Sequence, residues 1–380
     1  MHILVAPDKF RGSLSASEAA EAMAEGIRMV NPLFRVSCLP LADGGEGSLD
    51  MMLRYAEGLK VPTKAHDPLF RPIEAVYGLS AYQGGKTAWI EMAQASGIQL
   101  LADHERNACL TSSFGTGELI RHALEQGANR VVLMIGGSAT NDGGLGILAA
   151  LGFRFRDTSG NILQPIGQNL SQIAEIDASQ VISALQHATF EVVSDVQNPL
   201  CGENGATMIF GAQKGLTPQA QLDLEAGMKH WRSVAAAYLQ RDVSDEAGAG
   251  AAGGVGFAAM AFLQAKMVSG IDWMLDVSGF SSLLKTADLV LTGEGKLDVQ
   301  TLSGKVVAGI TKQAAEHRVP VVALCGTLAL SAADIEALGL HFAASILTRP
   351  MSLTEAEHEA YFLLRDATSR VIQMMSRFSA

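Results

Sequence analysis

The chain is poor in cysteine. Cys38, Cys109, Cys201 and Cys325 lie far apart. None forms a C-x-x-C pair, so neither a thiolate zinc site nor a disulfide framework is expected, and the four read as reduced, buried thiols. The nine histidines contain no H-E-x-x-H, which removes that class of zinc hydrolase. Positive charge is also scarce: 28 Lys and Arg face 39 Asp and Glu, for a formal charge of −11, and no basic block occurs. Such a chain is a poor partner for nucleic acid. It can still hold anions locally, with helix N-termini, glycine-rich backbone and a few placed cations. There is no uninterrupted apolar run of about 18 residues, so no membrane span is expected. The sequence enters Ile3-Leu4-Val5 with no basic and apolar leader before it, and a cytoplasmic location is expected. No Walker A loop is present. Ser303-Gly304-Lys305 lacks the upstream glycine spacing, and no hydroxyl follows the lysine. The protein-kinase signature set is missing too, so any nucleotide site must be of another kind.

What is present is a large, apolar, glycine-rich chain. Its 380 residues exceed one average domain, and 48% hydrophobic against 18% charged residues suffices for a sizeable core. The run 2–6 reads as a short buried strand ending in Pro7-Asp8. Ser15 with Glu18 forms a capping box opening a helix whose apolar face is Ala19, Ala20, Met23, Ile27 and Val30. Residues 35–41 read as a second strand, followed by a loop at 42–47 and a helix at 49–56. This β-α-β-α order starts a doubly wound sheet. The C-terminal third resumes the alternation, with strands at 289–291, 321–324 and 343–347 and helices at 305–317 and 354–378. The middle is less regular, with strands at 88–91, 131–135 and 190–193 and a helix at 117–126 with Gly127 beyond it.

The expected architecture is therefore α/β, with two α/β domains. A Rossmann-like parallel-sheet domain is made of 1–60 and 283–380, and a second α/β domain, 61–282, is inserted in it.

Several strands run into loops of one character: Pro7-Asp8-Lys9, 42–47, 136–144, Ser194-Asp195 and 293–298. They combine glycine, carboxylates and small hydroxyls. In open parallel sheets ligands bind beyond the carboxyl ends of the strands. Glycine lets backbone N–H groups approach phosphate, carboxylates hold a cation or take a proton, and lysine offsets charge in phosphoryl transfer. That inventory suits a kinase. Each part has a plainer reading: Gly-Gly pairs make turns, Asp43 and Glu46 can cap the following helix, Asp272 and Asp276 suit a helix surface, and Met51-Met52 and Met374-Met375 suit packing.

Nearly the whole length resembles the glycerate kinases of the type 1 family. The likeness is carried in order by Ala6-Pro7-Asp8-Lys9-Phe10-Arg11-Gly12-Ser13-Leu14-Ser15, Ala42-Asp43-Gly44-Gly45-Glu46-Gly47 and Ser113-Phe114-Gly115-Thr116-Gly117-Glu118. It continues through Gly136-Gly137-Ser138-Ala139-Thr140-Asn141-Asp142-Gly143-Gly144, Asp195-Val196-Gln197-Asn198-Pro199-Leu200, Phe210-Gly211-Ala212-Gln213-Lys214-Gly215, residues 248–256 and Thr292-Gly293-Glu294-Gly295-Lys296-Leu297-Asp298. Where the family often has Ser-Phe-Lys-Gly after Pro-Asp, this chain has Lys9-Phe10-Arg11-Gly12. The resemblance implies phosphorylation of D-glycerate by ATP with Mg²⁺, a 2-phosphate product, a role in glyoxylate metabolism and an active site between two α/β domains.

Residue type and strand-end placement then assign roles. Asp8, Lys9, Arg11 and Ser13 are expected to bind the substrate, with Lys9 also in the catalytic set. Gly136, Gly137, Ser138, Thr140, Asn141, Glu294 and Lys296 are expected to bind the nucleotide. Asp43 and Asp142 are expected to hold the metal, and Asp195 or Asp298 to accept the hydroxyl proton. A kinase for another small hydroxy acid and a non-catalytic hydroxy-acid sensor are the alternatives.

Overall fold

The computed structural model describes residues 1–41, 48–82, 84–299, 301 and 306–378. The chain divides into two compact units, Met1–Asp43 with Gly270–Ala380, and Gly44–Ser269.

In the first unit, β1 (His2–Val5) pairs in parallel with β2 (Arg35–Cys38). The remaining strands of this sheet come from the far end of the chain, namely β11 (Leu289–Leu297), β12 (Val321–Leu328) and β13 (Phe342–Ser345). The order is β13-β12-β11-β1-β2, every pair parallel, with Ile3 opposite Leu289. Strand alternation sends Ile3, Val5, Leu291 and Leu324 into one core. There they meet Met23 and Ile27 of the helix Ala16–Val30 and Leu364 and Ile372 of the helix Leu353–Phe378. Helix Val306–His317 packs on β11 and β12, with helix Gly270–Val277 against it; Ile271 fills the space where Gly309 has no side chain. The capping box is formed as expected: Ser15 Oγ accepts from the Glu18 N–H, and Glu18 accepts from the Ser15 N–H at 2.8 Å.

The second unit holds a six-stranded sheet. Its remaining strands are β3 (Leu59–His66), β4 (Pro72–Tyr82), β5 (Gly85–Glu91), β6 (Arg130–Met134), β9 (Thr189–Val193) and β10 (Lys266–Val268). The order is β10-β9-β6-β5-β4-β3, parallel from β5 to β10 and antiparallel from β3 to β5. A small separate ladder joins β7 (Arg154–Arg156) to β8 (Glu175–Asp177). Aromatic contacts centre on the fully buried Trp231, which stacks on Phe262 and meets Phe155 and Phe257 edge-on.

The unit boundaries lie earlier than 60/61 and 282/283. Helix Ser48–Tyr55 packs on β4 and β5, with Leu49 and Leu53 set into the space left by Gly78. Helix Gly270–Val277 packs within the first unit instead. A second difference concerns β11. It does not end at Leu291, because Glu294 stays paired with Cys325 and Lys296 with Thr327.

Candidate functional site

The 136–144 loop of the second unit leaves the carboxyl end of β6. Gly136 and Gly137 are exposed and Ser138 is half-buried, with Gly137 at φ +70°. This part of the backbone can face an anion. The rest of the loop is turned inward and pinned from several sides.

Asp142 is the main anchor. Its carboxylate is fully buried and accepts from the Ser113 N–H at 2.7 Å, the Ser113 hydroxyl at 2.8 Å, the Gly144 N–H at 3.0 Å and the Gly146 N–H at 3.1 Å. Burial pushes its pKa up, and the four donors pull the other way. Trp231 Nε1 donates to the Gly143 carbonyl at 3.1 Å, and Asn141 Nδ2 donates to the Thr207 hydroxyl at 2.8 Å. Gly253, at φ +67°, passes so close beneath the loop that a Cβ there would lie 2.1 Å from the Thr140 carbonyl oxygen. Only glycine accommodates that approach.

The remaining anchor is Lys214, buried to 3% exposure, whose ammonium donates to the Ser138 hydroxyl at 2.9 Å and to the Thr140 carbonyl at 2.7 Å. Burial lowers its pKa to about 8, and the nearby Asp142 charge partly restores it. A loop fixed in this way offers its exposed edge without reorganisation, which is what electrostatic stabilisation of a transferring group requires.

In the first unit, Asp8 follows β1, and its N–H donates to the Gly293 carbonyl at 2.9 Å; the Lys9 N–H donates to the Asp8 carboxylate at 2.7 Å. Asp8 is buried and Lys9 half-buried. Glu294 is buried within β11 and accepts from the Thr301 hydroxyl at 2.7 Å. Lys296 is exposed and pairs with Asp298 at 2.9 Å. Arg11 and Ser13 line a cavity of about 280 Å³ together with Gly295 of β11 and Gly326 and Thr327 of β12.

These positions revise several expected roles. Asp142 is a buried acceptor for four loop and helix donors, so in this structure it braces the loop from within. Thr140 and Asn141 have fully buried side chains, inside the loop and away from its exposed glycines. Their Oγ1 and Oδ1 atoms have no hydrogen-bond partner among the described residues. Glu294 and Lys296 belong to a strand, not to a loop. Asp195 is exposed, two residues beyond β9. Asp43 lies outside the described residues, as do Glu46 and the Ser303-Gly304-Lys305 segment. Among the described residues no cluster of three or more His, Cys, Asp or Glu is arranged to hold a metal ion.

Residue-type reasoning gave Lys214 no role, although its segment is among the family-like ones. With Gln213 before it and Gly215 after it, nothing local shows that this side chain points inward.

A mostly parallel α/β sheet with an exposed glycine loop beyond a strand end suits a phosphoryl-transfer enzyme. More narrowly, the chain belongs to the glycerate kinase family, whose pattern it matches over residues 3–376. It is 42% identical to a glycerate kinase of Bacillus subtilis (strain 168), over 97% of this chain and 96% of that one. It is 40% identical to the glycerate 2-kinase of Escherichia coli (strain K12), over 95% and 94% respectively. A crystal structure of a candidate glycerate kinase 2 from Salmonella typhimurium LT2 superposes with a TM-score of 0.88 at 39% identity, covering 100% of this chain and 99% of that one. None of the helices among the described residues is long and apolar enough to cross a membrane.

Proposed function

We propose that this protein transfers the γ-phosphoryl group of ATP, delivered as its Mg²⁺ complex, to the 2-hydroxyl of D-glycerate, giving 2-phosphoglycerate and ADP. Family membership and the relatives named glycerate kinase and glycerate 2-kinase support the substrate and product. The observation that carries the chemistry is the 136–144 loop, braced beneath by Asp142 and Lys214 while Gly136 and Gly137 stay exposed. The reaction asks little covalent work of the protein; positioning and charge compensation supply most of the rate.

In this reading the backbone of Gly136, Gly137 and Ser138 receives phosphate oxygens, and Lys9 beyond β1 holds the glycerate carboxylate. The hydroxyl proton passes to Asp195, which stands exposed two residues beyond β9. No resident metal ligand is assigned among the described residues, because Asp142 already accepts from four protein donors. The enzyme would act on glycerate formed from glyoxylate.

Phosphorus NMR of the product formed from D-glycerate, ATP and Mg²⁺ tests substrate and regiochemistry together. A 3-phosphoglycerate resonance would keep the kinase and overturn the choice of hydroxyl. Asp195→Asn should lower kcat by at least about 10²-fold, the low end for a general base. A smaller effect there and a larger one in Asp298→Asn would transfer the role to Asp298.

A further inference from the structure

The cavity in the unit formed by Met1–Asp43 and Gly270–Ala380 is not built for a small hydroxy acid. It measures about 280 Å³, and its walls are largely apolar: Phe10, Ile346, Leu347, Met351, Leu353 and Ala360. Phe10, Ile346 and Ala360 are buried at its floor. Glycerate carries an oxygen on every carbon, and an apolar wall would leave those oxygens without partners. The polar groups that do reach the cavity include Arg11, Thr327 and Glu357.

Glu357 is the informative one. It is half-buried and makes no hydrogen bond or ion pair among the described residues. Its carboxylate lies against the backbone of Gly12 (φ +87°), with Oε1 2.6 Å from where a Cβ would stand. A carboxylate held without a cation partner in an apolar cavity repels other carboxylates and phosphates. It attracts an N–H donor. A flat, apolar ring with an amino group at one edge satisfies both the walls and Glu357.

We propose that this cavity binds the adenine ring of the phosphoryl donor, with Glu357 accepting from the exocyclic amine and the exposed Arg11 guanidinium lying over the ring face. The inference rests on the kinase reading above for the identity of the donor. It moves Arg11 and Ser13 from the acid to the nucleotide.

Steady-state kinetics with ATP and with ITP, which has an oxygen in place of the 6-amino group, test it on the full chain. The wild type should prefer ATP, and Glu357→Gln should cut that preference by about 10-fold or more, the low end for a hydrogen bond to a charged group. An unchanged ATP-to-ITP ratio would overturn the proposal. Ala356→Trp, which projects a ring into the cavity from the helix Leu353–Phe378, should raise the KM for ATP about 10-fold or more and leave the KM for glycerate unaltered. A rise in the glycerate KM alone would show that the cavity takes the acid. If the wild type turned over no glycerate, the kinase reading would fail by itself. Calorimetric titration of ATP into wild type and Ala356→Trp would then still decide whether the cavity holds the base.

Discussion

Lys214→Met separates loop anchoring from fold stability. The ammonium is fully buried, and its pKa falls from 10.5 to about 8. The charged form is therefore disfavoured in the folded state by roughly 3 kcal/mol, with burial opposed by the Asp142 charge. Methionine has a similar reach and removes that cost. It also leaves the Thr140 carbonyl without its 2.7 Å donor, which costs ~1–3 kcal/mol for a buried acceptor. The two terms offset, so urea unfolding should give a stability within about 2 kcal/mol of wild type at pH 7. Activity should behave differently. With Ser138 and Thr140 no longer tied to a fixed cation, kcat/KM for ATP should fall by roughly 10- to 100-fold, equivalent to ~1.4–2.7 kcal/mol of transition-state stabilisation.

The pH dependence supplies a second readout. A lysine with a depressed folded pKa keeps its proton in the unfolded chain up to about 10.5 but loses it near 8 when folded. The cost is fully present below about 8, and stability rises from there towards 10.5. Wild-type activity should decline as pH passes through about 8, and the variant should lack that decline. Equal loss of stability and activity in Lys214→Met, or unchanged activity with the same pH limb, would refute the anchoring argument.

Further substitutions probe the same loop. Asp142→Asn turns an amide N–H₂ towards one of the donors from Ser113, Gly144 or Gly146, and should destabilise the protein by at least ~2 kcal/mol in urea unfolding. Retained stability with a raised Mg²⁺ requirement would restore the metal role. Gly253→Ala places a methyl 2.1 Å from the Thr140 carbonyl at φ +67°, and should cost at least ~2 kcal/mol with a parallel loss of kcat/KM for ATP. Trp231→Ala empties a fully buried ring site and frees the Gly143 carbonyl. A loss of ~3–5 kcal/mol is expected from large-to-small core substitutions, measured as a shift in the urea midpoint with an unchanged m-value.

The first unit was legible because its signals are local. Residues 2–6 form a short apolar run, and the Ser15–Glu18 box marks its helix start. The C-terminal strands joined this sheet because the same short apolar runs recur after a long interval. Where the reading ran short, non-local pairing was responsible. In Thr292-Gly293-Glu294-Gly295-Lys296 the residues have loop character, yet the ladder with β12 keeps them extended. The long strand β3 escaped notice because it lies at the sheet edge: Leu59, Lys60, Pro62 and Lys64 are exposed, so no buried pattern marks it. The site was harder still. An aspartate in a glycine loop has one appearance in sequence whether it binds a cation or caps N–H groups. Asp142 shows its role only through its four donors. Lys214 shows its own only through the direction of its side chain.

That direction bears on how a chain of net charge −11 can work on anionic substrates. Surface lysines would meet a field set by the excess of carboxylates, and salt screens exposed charges beyond about 8–10 Å. A buried ammonium is screened much less. Lys214 stands directly beneath Ser138 and Thr140 of the loop whose Gly136 and Gly137 are exposed. Its charge acts on an anion at the loop through protein and not through solvent. Such an arrangement needs a counterweight, because an isolated buried cation sheds its proton. Asp142 supplies it, raising the Lys214 pKa against burial while bracing the same loop. The two residues are better understood together than as a metal ligand and an unassigned lysine. One fixes the loop backbone, and the other sets the potential that an anion at the loop would meet.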